Sequence, residues 1–126
     1  MRLSSFLAVS GAIGILFGLE FLLVPGFALP QYGMPTEPHN LLQARYFGAS
    51  LLPWSLTAWL ARGVRDDAAL RALLSASAVG WLLGVVLSLW AALSGLQSAM
   101  AWLSVAIYGV FLLGALWFLS SPARRA

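Results

Sequence analysis

Two charged side chains, Glu20 and Arg45, interrupt stretches of the sequence that are otherwise apolar. A carboxylate in such a place can take up and release a proton, and a guanidinium can bind an anion or pair with the carboxylate. A charge at the centre of a bilayer costs roughly 2.5–3.5 kcal/mol on insertion scales, which pairing reduces. We therefore expect Glu20 and Arg45 to form an ion pair or to contact one ligand together.

Further polar side chains stand near Arg45 in the sequence, or come near it once the expected helices fold back. They are His39, Asn40, Gln43, Tyr46 and Gln97. Together with Glu20 and Arg45 we call them the outer polar cluster. Two interpretations of this cluster stay open, a polar clamp that joins two helices and a ligand site that opens outward.

The outer polar cluster does not contain a complete catalytic or metal site. His39 is the one histidine of the chain, and no second ligand stands at a suitable spacing from it. No Ser-His-Asp set, HExxH motif or phosphate-binding glycine loop is present. The chain also has no cysteine, which excludes thiolate metal sites and thiol redox chemistry. We expect no catalytic residue and no metal, and the sequence identifies no cofactor.

The composition of the chain is that of a membrane protein. Hydrophobic residues make up 61% of its 126 residues and charged residues 9%, whereas ordinary soluble domains carry about 25% charged residues. The sequence pI is 10.2, but the arginines flank apolar stretches. The basic charge therefore indicates contact with anionic lipid headgroups and not with nucleic acid.

Four apolar stretches are separated by three polar breaks. The expected spans are about 3–24, 40–60, 68–93 and 98–119, each with about 20 residues or more, which is enough for ~30 Å of hydrocarbon. Because the breaks are short, successive helices must be antiparallel. This predicts a single all-α domain, an integral membrane up-down four-helix bundle. The first stretch begins like a signal peptide, but it is too long for one, and we expect a retained helix.

The breaks carry signals for helix ends. Residues 25–39 contain four prolines and are expected to form an outer loop, since proline removes a donor and prevents regular helix. Asn40 is expected to cap the second helix, and Asp66 or Asp67 the third. Pro53 is expected to kink the second helix.

The arginines divide unequally between the two ends of the expected bundle. Arg45 stands alone on one side, and the other six share the opposite side. The six are Arg2, Arg62, Arg65, Arg71, Arg124 and Arg125. By the positive-inside rule both termini and the turn at 62–67 are then cytoplasmic, and residues 25–39 and 94–97 face outward. We expect a multi-pass protein of the inner (plasma) membrane.

Two GxxxG motifs allow close helix packing. Gly14 and Gly18 form the first, and Gly80 and Gly84 form the second. Small residues let helix backbones approach each other where lipid gives no hydrophobic driving force. We expect both motifs to pack helices within the chain, with a homodimer face as the alternative.

The stretch Gln43–Leu52, with its A-R-x-x-G-A pattern, resembles the entry to the second helix in uncharacterised small bacterial four-helix membrane proteins. These families are allied to the DoxX-like group. A late polar residue in the first helix, the Pro-Gly that follows and the order of the spans are similar too, so the resemblance covers most of the chain. It implies a four-helix membrane bundle. Some relatives are small subunits of quinone-linked membrane oxidoreductases, which implies quinone contact with Arg45 as the matching residue.

These observations favour a non-enzymatic integral membrane protein, either an accessory subunit or a binder of a lipid or quinone-like molecule. Its expected partners are membrane lipids, and a larger membrane complex or a second copy of the chain. One alternative is a small proton-coupled transporter that uses Glu20, although the shallow position of Glu20 and the arginine bias are unlike small multidrug-resistance transporters. The other is a membrane enzyme acting on a lipid or quinone, with Glu20 or His39 as acid or base.

Overall fold

The computed structural model describes all residues, 1–126, as helices joined by short connections, with no β-strand. The elements in chain order are α1 (Leu3–Leu23), α2 (Pro25–Gln31), α3 (Pro38–Ala61), α4 (Asp67–Leu93), α5 (Met100–Leu119) and a single 3₁₀ turn (Pro122–Arg124). The fold is therefore all-helical, as the sequence predicts.

Three helices, α1, α4 and α5, are long and apolar enough to cross a membrane. The fourth long helix, α3, has 24 residues, which is about 36 Å at 1.5 Å per residue. It is not among the three, although the sequence led us to expect four spans. The reason is its polar first half, where Asn40, Gln43 and Arg45 lower the mean hydropathy of the helix.

The segment expected to be an outer loop contains a helix, α2. Pro25 occupies the first helical position, where a missing N–H is no loss because that group has no partner within a helix. Pro30 lies in the last turn of this seven-residue helix, so few backbone bonds depend on it. Ala28 and Leu29 are buried, and this burial holds α2 against α1 and α3. Proline density alone did not reveal that the first of these prolines starts a helix.

The helix starts agree with the sequence at α4 and differ from it at α3. Asp66 caps α4, since its Oδ1 accepts a hydrogen bond of 2.7 Å from the backbone N–H of Ala69. Asn40 was expected to cap α3, but the N-cap is Glu37. The Asn40 side chain lies inside the first turn and donates from Nδ2 to the carbonyl oxygen of Pro35, at 3.0 Å.

The first helix pair, α1 with α3, is packed backbone against backbone. A Cβ placed on Gly48 would lie 2.5 Å from the carbonyl oxygen of Gly18 and 2.6 Å from the backbone nitrogen of Leu22. A Cβ placed on Gly11 would lie 2.8 Å from the carbonyl oxygen of Ser55 and 2.8 Å from the backbone nitrogen of Trp59. Close approach of this kind requires small residues on both helices.

The second helix pair, α4 with α5, is closed by a glycine and a tyrosine. A Cβ on Gly84 would lie 2.6 Å from the ring of Tyr108, whereas one on Gly80 would meet nothing within 4 Å. Of the second GxxxG motif, therefore, only Gly84 lies at a close contact within the chain. In the first motif Gly14 faces Ser55 and Gly18 faces Gly48, both on α3.

The two pairs meet at the end of the helices that carries the six arginines, which we call the arginine end. Phe6 of α1 contacts three rings there, with centroid distances of 5.8 Å to Trp81, 6.0 Å to Phe111 and 5.3 Å to Phe118. Around Phe6 lies the hydrophobic core of the molecule. Its buried members are Leu3, Phe6, Leu7, Ala58, Leu70, Leu74, Ala78, Phe111, Ala115 and Phe118.

The single ion pair of the structure closes the arginine end. Arg125 Nε lies 2.7 Å from Asp67 Oδ1, and the Arg125 side chain is only 3% exposed. Its Nη1 also donates to the carbonyl oxygens of Phe118 and Leu119. Because the last carbonyls of a helix have no partner within it, Arg125 both ends α5 and ties it to the start of α4.

The α1–α3 contact predicts a difference between two glycine-to-alanine substitutions. Gly48→Ala forces a methyl group against the backbone of α1 and should lower the unfolding free energy by about 1–3 kcal/mol, the usual effect of overpacking. A Cβ on Gly80 would meet nothing within 4 Å, so Gly80→Ala should not lower the unfolding free energy. Denaturation of the two variants in detergent, followed by circular dichroism, measures this. Equal losses in both would show that α1 and α3 are not in backbone contact.

Candidate functional site

A cavity of about 360 Å³ lies between the α1–α3 pair and the α4–α5 pair. Its outer end, the end away from the six arginines, is bordered by Tyr32 and Met34 after α2 and by Gln97 before α5. Its inner end reaches Ala58 and Phe111, which belong to the hydrophobic core. The cavity therefore starts where the two helix pairs cease to touch.

Each long helix contributes one face to the cavity. The lining residues of α3 are Asn40, Gln43, Ala44, Phe47, Leu51, Trp54, Ser55 and Ala58, and those of α1 are Ser10, Ile13, Gly14, Phe17 and Phe21. The lining residues of α4 and α5 are Trp81, Ser88, Ser104, Ile107, Tyr108 and Phe111. The steps of three, four and seven residues are those of a single helical face. Asn40 and Ala58 lie about 27 Å apart along α3 at 1.5 Å per residue, so the cavity is elongated.

Small residues leave the space, and aromatic residues form its walls. Serine, glycine or alanine occurs on every lining face, at Ser10, Gly14, Ser55, Ser88 and Ser104 among others. Of the other lining residues, half are phenylalanine, tyrosine or tryptophan. An apolar cavity with a few polar groups is the usual composition of a small-molecule site.

The polar groups of the cavity concentrate toward its outer end. The amides of Asn40, Gln43 and Gln97 lie there, and the hydroxyl-bearing Tyr32 and Tyr108 line the same space. An amide offers both donors and acceptors, and a phenol offers one of each. No charged side chain lines the cavity. The site can therefore bond a neutral carbonyl or hydroxyl group, but it presents no counter-charge to an ion.

The segment after α2 closes the outer end of the cavity. The backbone N–H of Ser98 donates to the carbonyl oxygen of Tyr32 at 2.8 Å, and the Ser98 hydroxyl donates to that of Gln31 at 2.5 Å. Gly33, directly after Tyr32, turns the chain with a φ of 69°, a conformation that favours glycine. These bonds join the outer ends of the two helix pairs through α2.

The structure brings together three members of the outer polar cluster and leaves four outside the cavity. Asn40, Gln43 and Gln97 line it. The four outside are Glu20, His39, Arg45 and Tyr46. His39 is exposed at the start of α3, and Tyr46 is 61% exposed on its outer face. No group of three or more His, Cys, Asp or Glu residues is placed to hold a metal ion.

The expected ion pair between Glu20 and Arg45 is wrong, since the structure contains one ion pair and these residues are not in it. Glu20 Oε1 accepts a hydrogen bond of 3.0 Å from Gln31 Nε2, on α2. Arg45 Nη1 donates to the carbonyl oxygen of Leu22 at 3.1 Å. That carbonyl belongs to the last turn of α1, where backbone acceptors have no helical partner and the helix dipole favours a cation. Each charge thus joins two helices, but through a different partner.

Several cavity residues were not singled out from the sequence. They are Ser10, Tyr32, Ser55, Ser88, Ser104 and Tyr108. A signal existed in the spacing, because Ser104 and Tyr108 are four residues apart, as are Ser10 and Gly14. Small residues at that spacing also occur where two helices pack tightly. The sequence therefore could not separate a cavity wall from a helix contact.

No family model, curated protein or solved structure matches this chain.

Proposed function

We propose that this protein is a non-enzymatic membrane module that holds an amphipathic molecule of the lipid or quinone class between its two helix pairs. The observation that carries the proposal is the cavity of about 360 Å³ with aromatic and aliphatic walls. Small-molecule sites typically occupy ~300–1,000 Å³ and combine apolar walls with a few polar groups. The cavity has both properties.

The lining favours a neutral head group on that molecule. Gln43 and Asn40 present amides near the outer end, and no arginine, histidine or carboxylate lines the cavity. A phosphate buried without a counter-charge would lose its hydration with little return. A quinone carbonyl or a hydroxyl can instead accept from an amide N–H, while its ring and tail lie between Phe17, Trp54 and Trp81. This supports a quinone-like ligand over a phospholipid.

The ligand would enter from the bilayer past α3. Gln43, Phe47 and Trp54 line the cavity and are exposed, Phe47 to 42% and Trp54 to 37%, whereas no lining residue of α1 is exposed. The side of the cavity along α3 is therefore less covered than the side along α1. An apolar molecule dissolved in lipid meets this side directly.

We also propose that α3 is a fourth membrane span, which makes the protein an up-down four-helix bundle in the bacterial inner membrane. The tight packing of α3 on α1 shields its backbone, and Arg45 has a carbonyl partner, so its charge is partly compensated at shallow depth. The six arginines at one end favour a cytoplasmic position for both termini.

The resemblance of Gln43–Leu52 to the DoxX-like group supports a role as accessory subunit of a quinone-linked membrane complex. In this proposal the contact with the quinone is made by Gln43, because Arg45 bonds to α1. The transporter and enzyme alternatives both need Glu20 or His39 as a proton carrier. Neither side chain lines the cavity, and no observation favours these alternatives.

Membrane topology is testable with single cysteines, since the chain has none of its own. Thr36→Cys lies in the exposed connection before α3, and Gly63→Cys in the exposed turn before α4. On intact spheroplasts a membrane-impermeant maleimide should label Thr36→Cys, whereas Gly63→Cys should react only after lysis. Labelling of both positions from the same side would show that α3 does not cross the membrane.

Ligand binding is testable by filling the cavity from α5. Ser104→Phe places a ring inside the lining, whereas Ala106→Phe, on the same helix, points to the exposed side. With a short-chain ubiquinone as probe, wild-type protein in detergent should give saturable quenching of tryptophan fluorescence, because Trp54 and Trp81 line the cavity. Ser104→Phe should weaken binding roughly tenfold or more, a loss of at least 1.4 kcal/mol. Ala106→Phe should bind like wild type, and equal binding by Ser104→Phe would refute the site.

A further inference from the structure

A second cavity, of about 690 Å³, opens at the arginine end, opposite the proposed ligand site. The start of α1, the turn between α3 and α4 and the segment after α5 surround it. Five arginines line it, namely Arg2, Arg62, Arg65, Arg124 and Arg125, and no aspartate or glutamate does. We call it the arginine pocket.

Three of these arginines are held in fixed positions by other groups. The guanidinium of Arg62 lies 4.3 Å from the ring centroid of Trp59 and donates to its carbonyl oxygen. That of Arg124 lies 4.8 Å from the ring centroid of Trp117 and bonds to its carbonyl oxygen and to the Ser120 hydroxyl. Arg125 is bound to Asp67. Guanidinium groups fixed by stacking and by carbonyl bonds lose little further freedom when they bind an anion.

Positive charge in the pocket exceeds negative charge. Asp67 neutralises Arg125, and this is the only ion pair in the structure. Arg2, Arg62, Arg65 and Arg124 line the same pocket with no carboxylate partner. Like charges gathered around one space repel each other, and an anion that enters this space relieves the repulsion. Guanidinium groups bind phosphate oxygens through paired, charge-assisted hydrogen bonds.

The pocket also has an apolar floor. Leu3, Leu7 and Leu70 line it and are buried members of the hydrophobic core. Trp117 lines it from α5 and is 47% exposed, which continues the apolar surface outward along that helix. A soluble anion would use only the rim of such a pocket. A phospholipid would use the rim for its phosphate and the apolar surface for the start of its acyl chains.

We propose that the arginine pocket is a specific site for the phosphate group of an anionic phospholipid. The site is independent of the proposed quinone-like ligand, because it lies at the other end of the helices and has the opposite chemistry. Basic pockets between membrane helices on the cytoplasmic side are suited to acidic headgroups. The lipid would fasten the start of α1 to the α3–α4 turn and to the end of α5.

Native mass spectrometry of the full chain in detergent, with phosphatidylglycerol as probe and phosphatidylcholine as reference, tests this site. We expect a clear preference for phosphatidylglycerol. Arg2→Gln with Arg65→Gln removes two arginines that have no ion-pair partner and should weaken phosphatidylglycerol binding roughly 10- to 30-fold, at about 1 kcal/mol per arginine. Arg71→Gln is the matched control, since Arg71 is exposed at the same end and does not line the pocket.

A second double variant, Arg2→Lys with Arg65→Lys, keeps the charge that orients the helices while removing the paired donors. It should weaken binding less than the glutamine variant, and it replaces that variant if the latter does not fold. Inorganic pyrophosphate, added as competitor, distinguishes the sources of phosphate. Failure to displace the lipid supports the lipid site, and displacement at equal concentration would assign the pocket to a soluble phosphate. Equal binding of both lipids, or equal loss in Arg71→Gln, would overturn the proposal.

Discussion

At Gly48 the backbones of α1 and α3 come so close that there is no room for a methyl group, and at Gly18 a methyl group would press on the side chain of Leu52. This contact makes one rigid pair of the first two long helices, and Gly84 against Tyr108 makes another of α4 and α5. Two tight pairs that touch through Phe6 at one end leave space between them at the other. The cavity is therefore a consequence of the pairing, and it depends on small residues being kept at the crossing points.

The polar groups that line the two cavities differ in charge. The cavity between the pairs contains amides and hydroxyls but no charged side chain. The arginine pocket contains five guanidinium groups and no aspartate or glutamate. One chain of four long helices thus encloses one cavity with a neutral lining and, at the arginine end, one with a cationic lining. A neutral quinone-like molecule and an anionic phospholipid are the ligands that these two environments separately favour.

Much of the fold could be predicted from the sequence, because long apolar runs and short polar breaks leave few choices for helices in lipid. The limits of the four long helices follow these runs to within a few residues, and Asp66 caps α4 as its sequence position suggests. The three amides of the cavity could be grouped in advance, since antiparallel helices bring Asn40, Gln43 and Gln97 to the same end.

The partners of Glu20 and Arg45 could not be predicted in the same way. The prediction of an ion pair between Glu20 and Arg45 rested only on the opposite charges of their side chains. The structure uses the carbonyl of Leu22 for Arg45 and the amide of Gln31 for Glu20. The first partner is a backbone group that every helix end offers, and the second lies on α2, a helix hidden among prolines. Neither has a signature in residue types alone.

We propose that the space between the helix pairs is a binding site. An experimental structure of the protein, purified from its native membrane into lipid nanodiscs, tests this claim most directly. We expect elongated non-protein density between Phe17, Trp54 and Tyr108, with its polar end near Gln43. The proposal would be contradicted by α1–α3 and α4–α5 packed together along their whole length, with side chains of the chain itself filling the space.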